Sequence, residues 1–85
     1  MNTIYCVVVN STYDYDEEHR IVAAFPYLEY ALERMKNEWK QFLKEDWSDK
    51  MNIKEECDHI CHAWQEGWWS RYHFEVYVEE VGYHE

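Results

Sequence analysis

Glycine and proline are scarce, two and one among 85 residues. With no Gly/Pro/Ser-rich tract, no internal repeat and no low-complexity segment, nothing marks a linker, and residues 1–85 read as a single small domain. Bases are scarce too: 8 Lys and Arg stand against 18 Asp and Glu, for a net charge of −10. That shortage argues against direct binding to a nucleic-acid backbone, which takes Lys and Arg to displace the surrounding counterions. No apolar run approaches the ~18 residues of a membrane span, and "MNTIYCVVVN" has neither the basic start nor the small-residue cleavage site of a signal peptide. The expected compartment is therefore the cytoplasm. There the sequon Asn10-Ser11-Thr12 is idle and the three cysteines, an odd number, are expected to be free thiols.

Aromatic residues are abundant, with five Trp, eight Tyr and three Phe. Each buried ring removes roughly 150–250 Å² from water, enough to fold a small domain whose charge alone would suggest disorder. The charge is uneven. Residues 1–33 carry six acids and one base, residues 34–54 four acids and six bases, and residues 55–85 eight acids and one base. Two acidic ends flank a mixed middle, a distribution that suits a basic partner protein.

"TIYCVVVN" is β-branched and aromatic, with Ile4, Cys6 and Val8 on one face and Tyr5, Val7 and Val9 on the other. "HRIVAAF" supplies a second strand, with Ile21, Ala23 and Phe25 alternating against Val22 and Ala24. The stretch between them, "NSTYDYDEEHR", reads as a hairpin loop without the usual Asn-Gly or Asp-Gly. Pro26 fits the first position of a helix. Leu28, Ala31, Leu32, Met35, Trp39, Phe42 and Leu43 then recur at helical spacing to about Asp46, with acids early and lysines late, as the helix dipole favours.

Ser48, Asp49 and Asn52 can cap a second helix, along which Ile53, Cys57, Ile60, Cys61 and Trp64 form an apolar stripe ending at Gly67. "RYHFEVYVEEV" alternates as a last strand, Tyr72, Phe74, Val76 and Val78 inward and His73, Glu75, Tyr77 and Glu79 outward. The expected architecture is ββααβ, an α+β fold with a three-stranded, mainly antiparallel sheet covered on one face by two helices.

The strand "IYCVVVN", the acidic tyrosine-bearing turn, the strand ending "IVAAF", the helix opening "PYLEYALERM" and the strand "FEVYVEEV" together resemble a loose group of small phage and mobile-element proteins. The resemblance spans residues 3–36 and 72–81 and is one of hydrophobic spacing. It implies a habitat: small acidic phage proteins of this kind look like inhibitors of host defence systems.

Four potential metal ligands crowd "ECDHICHAW". On a helix Cys57 and Cys61 share a face while His59 points about 200° away, so Cys57, His59, Cys61 and His62 do not converge on one ion, and the cysteines read as core side chains. Asp14 and Asp16 lack the glycine and distal Glu of a calcium loop. No nucleophile has an identifiable base, so neither an enzyme nor a cofactor is expected.

The remaining use of "NSTYDYDEEHR" is surface presentation. In an extended loop Asp14, Asp16 and Glu18 would form one row and Tyr13, Tyr15 and Glu17 the other, with neighbours in a row about 6.8 Å apart. Carboxylate rows on a rigid frame can imitate phosphates, and tyrosines add rigid contact area. Glu75, Tyr77, Glu79 and Glu80 extend the acidic surface along the last strand, and Trp69 is expected to turn outward where Trp68 continues the inward stripe.

These residues predict a protein that binds a basic surface, and with the resemblance to small phage proteins they imply an inhibitor of a host nucleic-acid-handling or defence protein, a CRISPR effector for example. The alternative is a structural or regulatory homo-oligomer, a homodimer for instance, pairing through a bare sheet face that exposes Tyr5, Val7, Val9 and Tyr77.

Overall fold

The computed structural model describes residues 2–65 and 71–83. Five strands form one antiparallel sheet: β1 (Asn2–Tyr13), β2 (Asp16–Phe25), β3 (Ile53–Glu56), β4 (Ile60–Trp64) and β5 (Tyr72–Tyr83), in the order β2-β1-β5-β4-β3. Among the described residues a single α-helix, α1 (Leu28–Leu43), packs on one face, followed by a 3-10 turn over Asp46–Lys50. The three-stranded sheet with two helices expected from sequence is thus corrected to five strands and one α-helix.

The correction lies wholly in residues 46–64. Ser48, expected to cap a helix, instead closes the 3-10 turn, its Oγ donating to the Glu45 carbonyl at 2.8 Å. Beyond it the chain runs out as the β3–β4 hairpin, with Ile53 opposite Trp64 and Glu56 opposite Cys61. Cys61 and Ala63 point into the core, whereas Ile60, His62 and Trp64 face the other way. That is a period of 2, not 3.6. Gly67, the expected helix stop, lies outside the described residues.

α1 forms as its spacing predicts. Ala31, Met35, Trp39 and Phe42 are buried, Leu32 is half-buried, and Leu43 at the end of the stripe is exposed. Pro26 sits two residues before the first helical residue rather than inside the first turn. Glu29 in the first turn and Lys40 in the last complement the helix dipole.

The core lies between α1 and the face of the sheet that carries Val7, Val9, Phe74, Val76, Cys61 and Ala63. Phe42 and Phe74 stack with ring centroids 4.1 Å apart, and Trp39 and Trp47 close around them. Val7 and Val9 therefore face the helix, and Tyr5 packs against the same core. The expectation that these three line a bare face is corrected. A β-bulge explains part of the difference in β2. Val7 pairs with Ala23 and Val8 with Ile21, which leaves Val22 as the extra residue. The bulge lets both Val22 and Ala23 pack on the core and turns Ile21 out on the opposite side, 61% exposed.

No helix among the described residues is long and apolar enough to cross a membrane.

Candidate functional site

The opening acidic stretch is a tight hairpin and not a loop. β1 extends through Tyr13 and β2 begins at Asp16, so only Asp14 and Tyr15 form the turn. Asp14 has φ 56°, the left-handed conformation that Asp tolerates better than most residues, and its N–H donates to the Arg71 carbonyl at 2.8 Å. This bond extends the ladder between β1 and β5 to the tip and makes the turn part of the sheet.

Pairing then fixes the side chains. Tyr13 opposes Asp16, Ser11 opposes Glu18 and Thr12 opposes Glu17. Tyr13, Asp16 and Glu18 therefore share the helix side, while Glu17 lies on the other. The expected rows of Asp14 with Asp16 and Glu18, and of Tyr13 with Tyr15 and Glu17, are corrected accordingly. Tyr13 is 45% exposed, anchored edge-on against Tyr72 and Trp47, whereas Tyr15 stands at the tip 89% exposed. Asp16, Glu17 and Glu18 are exposed, and Glu18 lies 3.3 Å from Arg20.

The carboxylates of β5 do not join this tip. Glu79 and Glu80 pair with Cys6 and Tyr5, seven and eight residues up β1 from Tyr13, which is on the order of 24 Å or more away. Tyr77 is half-buried beside Val8, which is fully buried although it lies on the face away from the helix. Trp69 and Trp68 lie outside the described residues.

Glu75 belongs to a different constellation, one not foreseen from the sequence. On the sheet face away from α1, the register places His19, Asn10, Glu75, His62 and Glu55 in one row across all five strands. The Asn10 Nδ2 donates to Glu75 Oε1 at 3.1 Å, and the Asn10 Oδ1 accepts from His19 Nδ1. His62 Nε2 lies 3.1 Å from Glu55 Oε2. A carboxylate only accepts, so this contact fixes the proton of neutral His62 on Nε2 and leaves the Nδ1 lone pair unprotonated.

The next row holds Glu17, Thr12, His73, Trp64 and Ile53. His62, His73 and Glu75, all half-buried, bring one ligand atom each to within 4.8 Å of one another. The signal in the sequence is the pair His73 and Glu75, two apart on one strand. Its third member is hidden as long as His62 is placed on a helix.

Of the two cysteines expected as core side chains of a helix, only Cys61 is one; for Cys57, which sits at the turn of a hairpin, the expectation is corrected. Cys57 is exposed and Cys61 is buried in the core. Both border a cleft of about 320 Å³ between α1 and the β3–β4 hairpin, where the Trp39 Nε1 donates to Glu56. Burial pushes the Cys61 thiol above its ordinary pKa, the reverse of what a nucleophilic cysteine needs. No family model, curated protein or solved structure matches the chain.

Proposed function

We propose that this chain is a non-enzymatic binding protein that presents its β1–β2 hairpin to a basic surface of another protein. From the resemblance in hydrophobic spacing to small phage and mobile-element proteins, we take that partner to be a host nucleic-acid-handling or defence protein, with CRISPR effectors among the candidates, and binding to inhibit it. The observation that carries this reading is the tip itself: Tyr15, 89% exposed, with Asp16, Glu17 and Glu18 exposed beside it on a two-residue turn tied into the sheet.

A tyrosine held on such a frame offers contact area at little entropic cost. Asp16 and Glu18 on one side of β2 lie about 6.8 Å apart, twice the ~3.4 Å axial spacing of phosphates along one DNA strand.

The test is DNA cleavage by purified, guide-loaded CRISPR effectors in the presence of the chain. Wild type is expected to protect the DNA against at least one effector, less so as salt rises. The triple variant Asp16→Lys, Glu17→Lys, Glu18→Lys is expected to lose that protection with its fold intact. Equal protection by the triple variant would remove the hairpin from the mechanism.

A homo-oligomer remains the second reading, favoured by Ile21, 61% exposed at the end of an apolar row that continues through Val8, Tyr77 and Ile60 on the face away from α1. It requires a mass twice the 10.6 kDa of one chain by light scattering, returning to one chain in Ile21→Lys.

A further inference from the structure

We propose that His62, His73 and Glu75 form a binding site for one borderline transition-metal dication, with zinc as the ion the donor set fits best. The three come from adjacent strands by simple register. His62 lies directly opposite Glu75, and His73 is two residues before Glu75 on the same face of β5. Facing positions on paired strands have Cβ atoms about 5 Å apart, and i, i+2 positions about 7 Å, so two imidazoles and a carboxylate reach a common point above the sheet. Their ligand atoms already lie within 4.8 Å of one another. Tetrahedral bonds of about 2.0–2.1 Å need ligand atoms roughly 3.4 Å apart, a contraction that side-chain rotation supplies without moving the strands.

The surroundings are those of a metal site. Ligating imidazoles characteristically donate their second nitrogen to a carboxylate, and His62 does so to Glu55, leaving Nδ1 for the ion. Asn10 holds Glu75 Oε1 at 3.1 Å, orienting the carboxylate and leaving Oε2 free to ligate. The Trp64 ring packs beside that of His62, with centroids 4.8 Å apart.

The charge balance points the same way. The two rows of the face hold three carboxylates, on Glu17, Glu55 and Glu75, and neither a Lys nor an Arg. A dication bound by two neutral imidazoles and one carboxylate supplies the missing positive charge, and its fourth position opens to solvent on the face that no helix covers.

This site is independent of the hairpin tip, and its test needs no partner. Tag-free protein is titrated with zinc chloride by calorimetry, and its cobalt-loaded form is examined by visible absorption. Wild type is expected to bind one ion per chain. Affinity should fall more than about tenfold in His62→Ala, His73→Ala and Glu75→Gln, fall about tenfold in Glu55→Gln, and hold in Cys57→Ser and His59→Ala.

The cobalt spectrum should show four- or five-coordinate bands without thiolate charge transfer. Glu75→Gln keeps the acceptor for Asn10 and the side-chain volume, so it reports on the ligand when a histidine variant unfolds. The imidazole 15N shifts of His62 and His73 in wild type on zinc addition give a second readout. Absence of stoichiometric binding, loss of binding in Cys57→Ser or His59→Ala instead, or unmoved His62 and His73 shifts would each overturn the site.

Discussion

Among the described residues, Asp14 is the one non-glycine residue with a positive φ. A left-handed residue costs most side chains about 1–2 kcal/mol, and Asp and Gly bear it best. The geometry at φ 56° therefore selects its occupant, apart from any use of the carboxylate. Asp14→Gly is expected to keep the urea midpoint within a few tenths of a molar of wild type, whereas Asp14→Val, β-branched and intolerant of positive φ, should lose about 1–2 kcal/mol. Equal midpoints for the two variants would mean that the turn is not held in this conformation. The distinction matters for function, because Asp14→Gly deletes one carboxylate from the tip without disturbing its frame. Tyr15 beside it is under no such constraint, and its exposure is left for contact.

At the scale of elements, the β3–β4 hairpin shows where thiol chemistry separates two neighbouring cysteines. Cys57 is exposed at the turn, and Cys61, 4% exposed, faces the core with its thiol pKa raised by burial. Because the thiolate is the species that reacts, a disulfide reagent at neutral pH is expected to modify Cys57 first and Cys61 only after unfolding or at alkaline pH, as resolved by peptide mass spectrometry. The sign of the linkage follows. The folded chain holds the Cys61 proton more tightly than the unfolded one, so its contribution to stability is whole below the ordinary thiol range and is lost as pH rises through the raised value. Equal protection of Cys57 and Cys61 would instead suit a helix with both on one buried stripe.

That helix is what the sequence suggests, and the reason is arithmetic. Ile53, Cys57, Ile60, Cys61 and Trp64 fall at helical intervals, yet the hairpin buries Cys61 and Ala63 and turns Ile60, His62 and Trp64 to the other face. Its turn, at Cys57 to His59, has no glycine or proline to announce it. β1, β2, α1 and β5 were legible because β-branched runs, clean alternation and a long apolar stripe each favour one period only. The sides of β1 and β2 were less so. Val7, Val8 and Val9 are all buried, so hydrophobicity alone does not say which face meets the helix, and the bulge at Val22 shifts the alternation midway. Of the site residues, the exposed hairpin carboxylates could be read directly, whereas the row from His19 to Glu55 depends on five-strand register that no local pattern encodes.

For the whole molecule, charge is the dominant surface term. A net −10 on 85 residues repels itself, and both edges of the sheet are charged: β2 begins Asp16, Glu17, Glu18, and β3 carries Lys54, Glu55 and Glu56. Charged edges discourage lateral pairing with another chain, so self-association must use the open face. The melting temperature is expected to climb as salt rises toward ~0.15 M, where the screening length is about 8 Å, and to level off beyond it. Each reversal in the hairpin triple variant removes two units of negative charge, so its climb should be visibly smaller by calorimetry. A flat profile for both proteins would show that the carboxylates repel one another too weakly to affect the fold.

The strand order has a consequence for the timing of folding. β1 and β5 are adjacent in the middle of the sheet, Asn2 beside Tyr83 and Tyr13 beside Tyr72, although most of the chain separates them. During synthesis the β1–β2 hairpin and α1 emerge first and can meet, but the β3–β4 hairpin has no strand to lie against until β5 appears. The sheet stays in two unjoined pieces until then, and closing so long a loop is entropically slow. A ribosome therefore holds this sheet incomplete until β5 clears the tunnel, and that strand joins the two pieces in one late step.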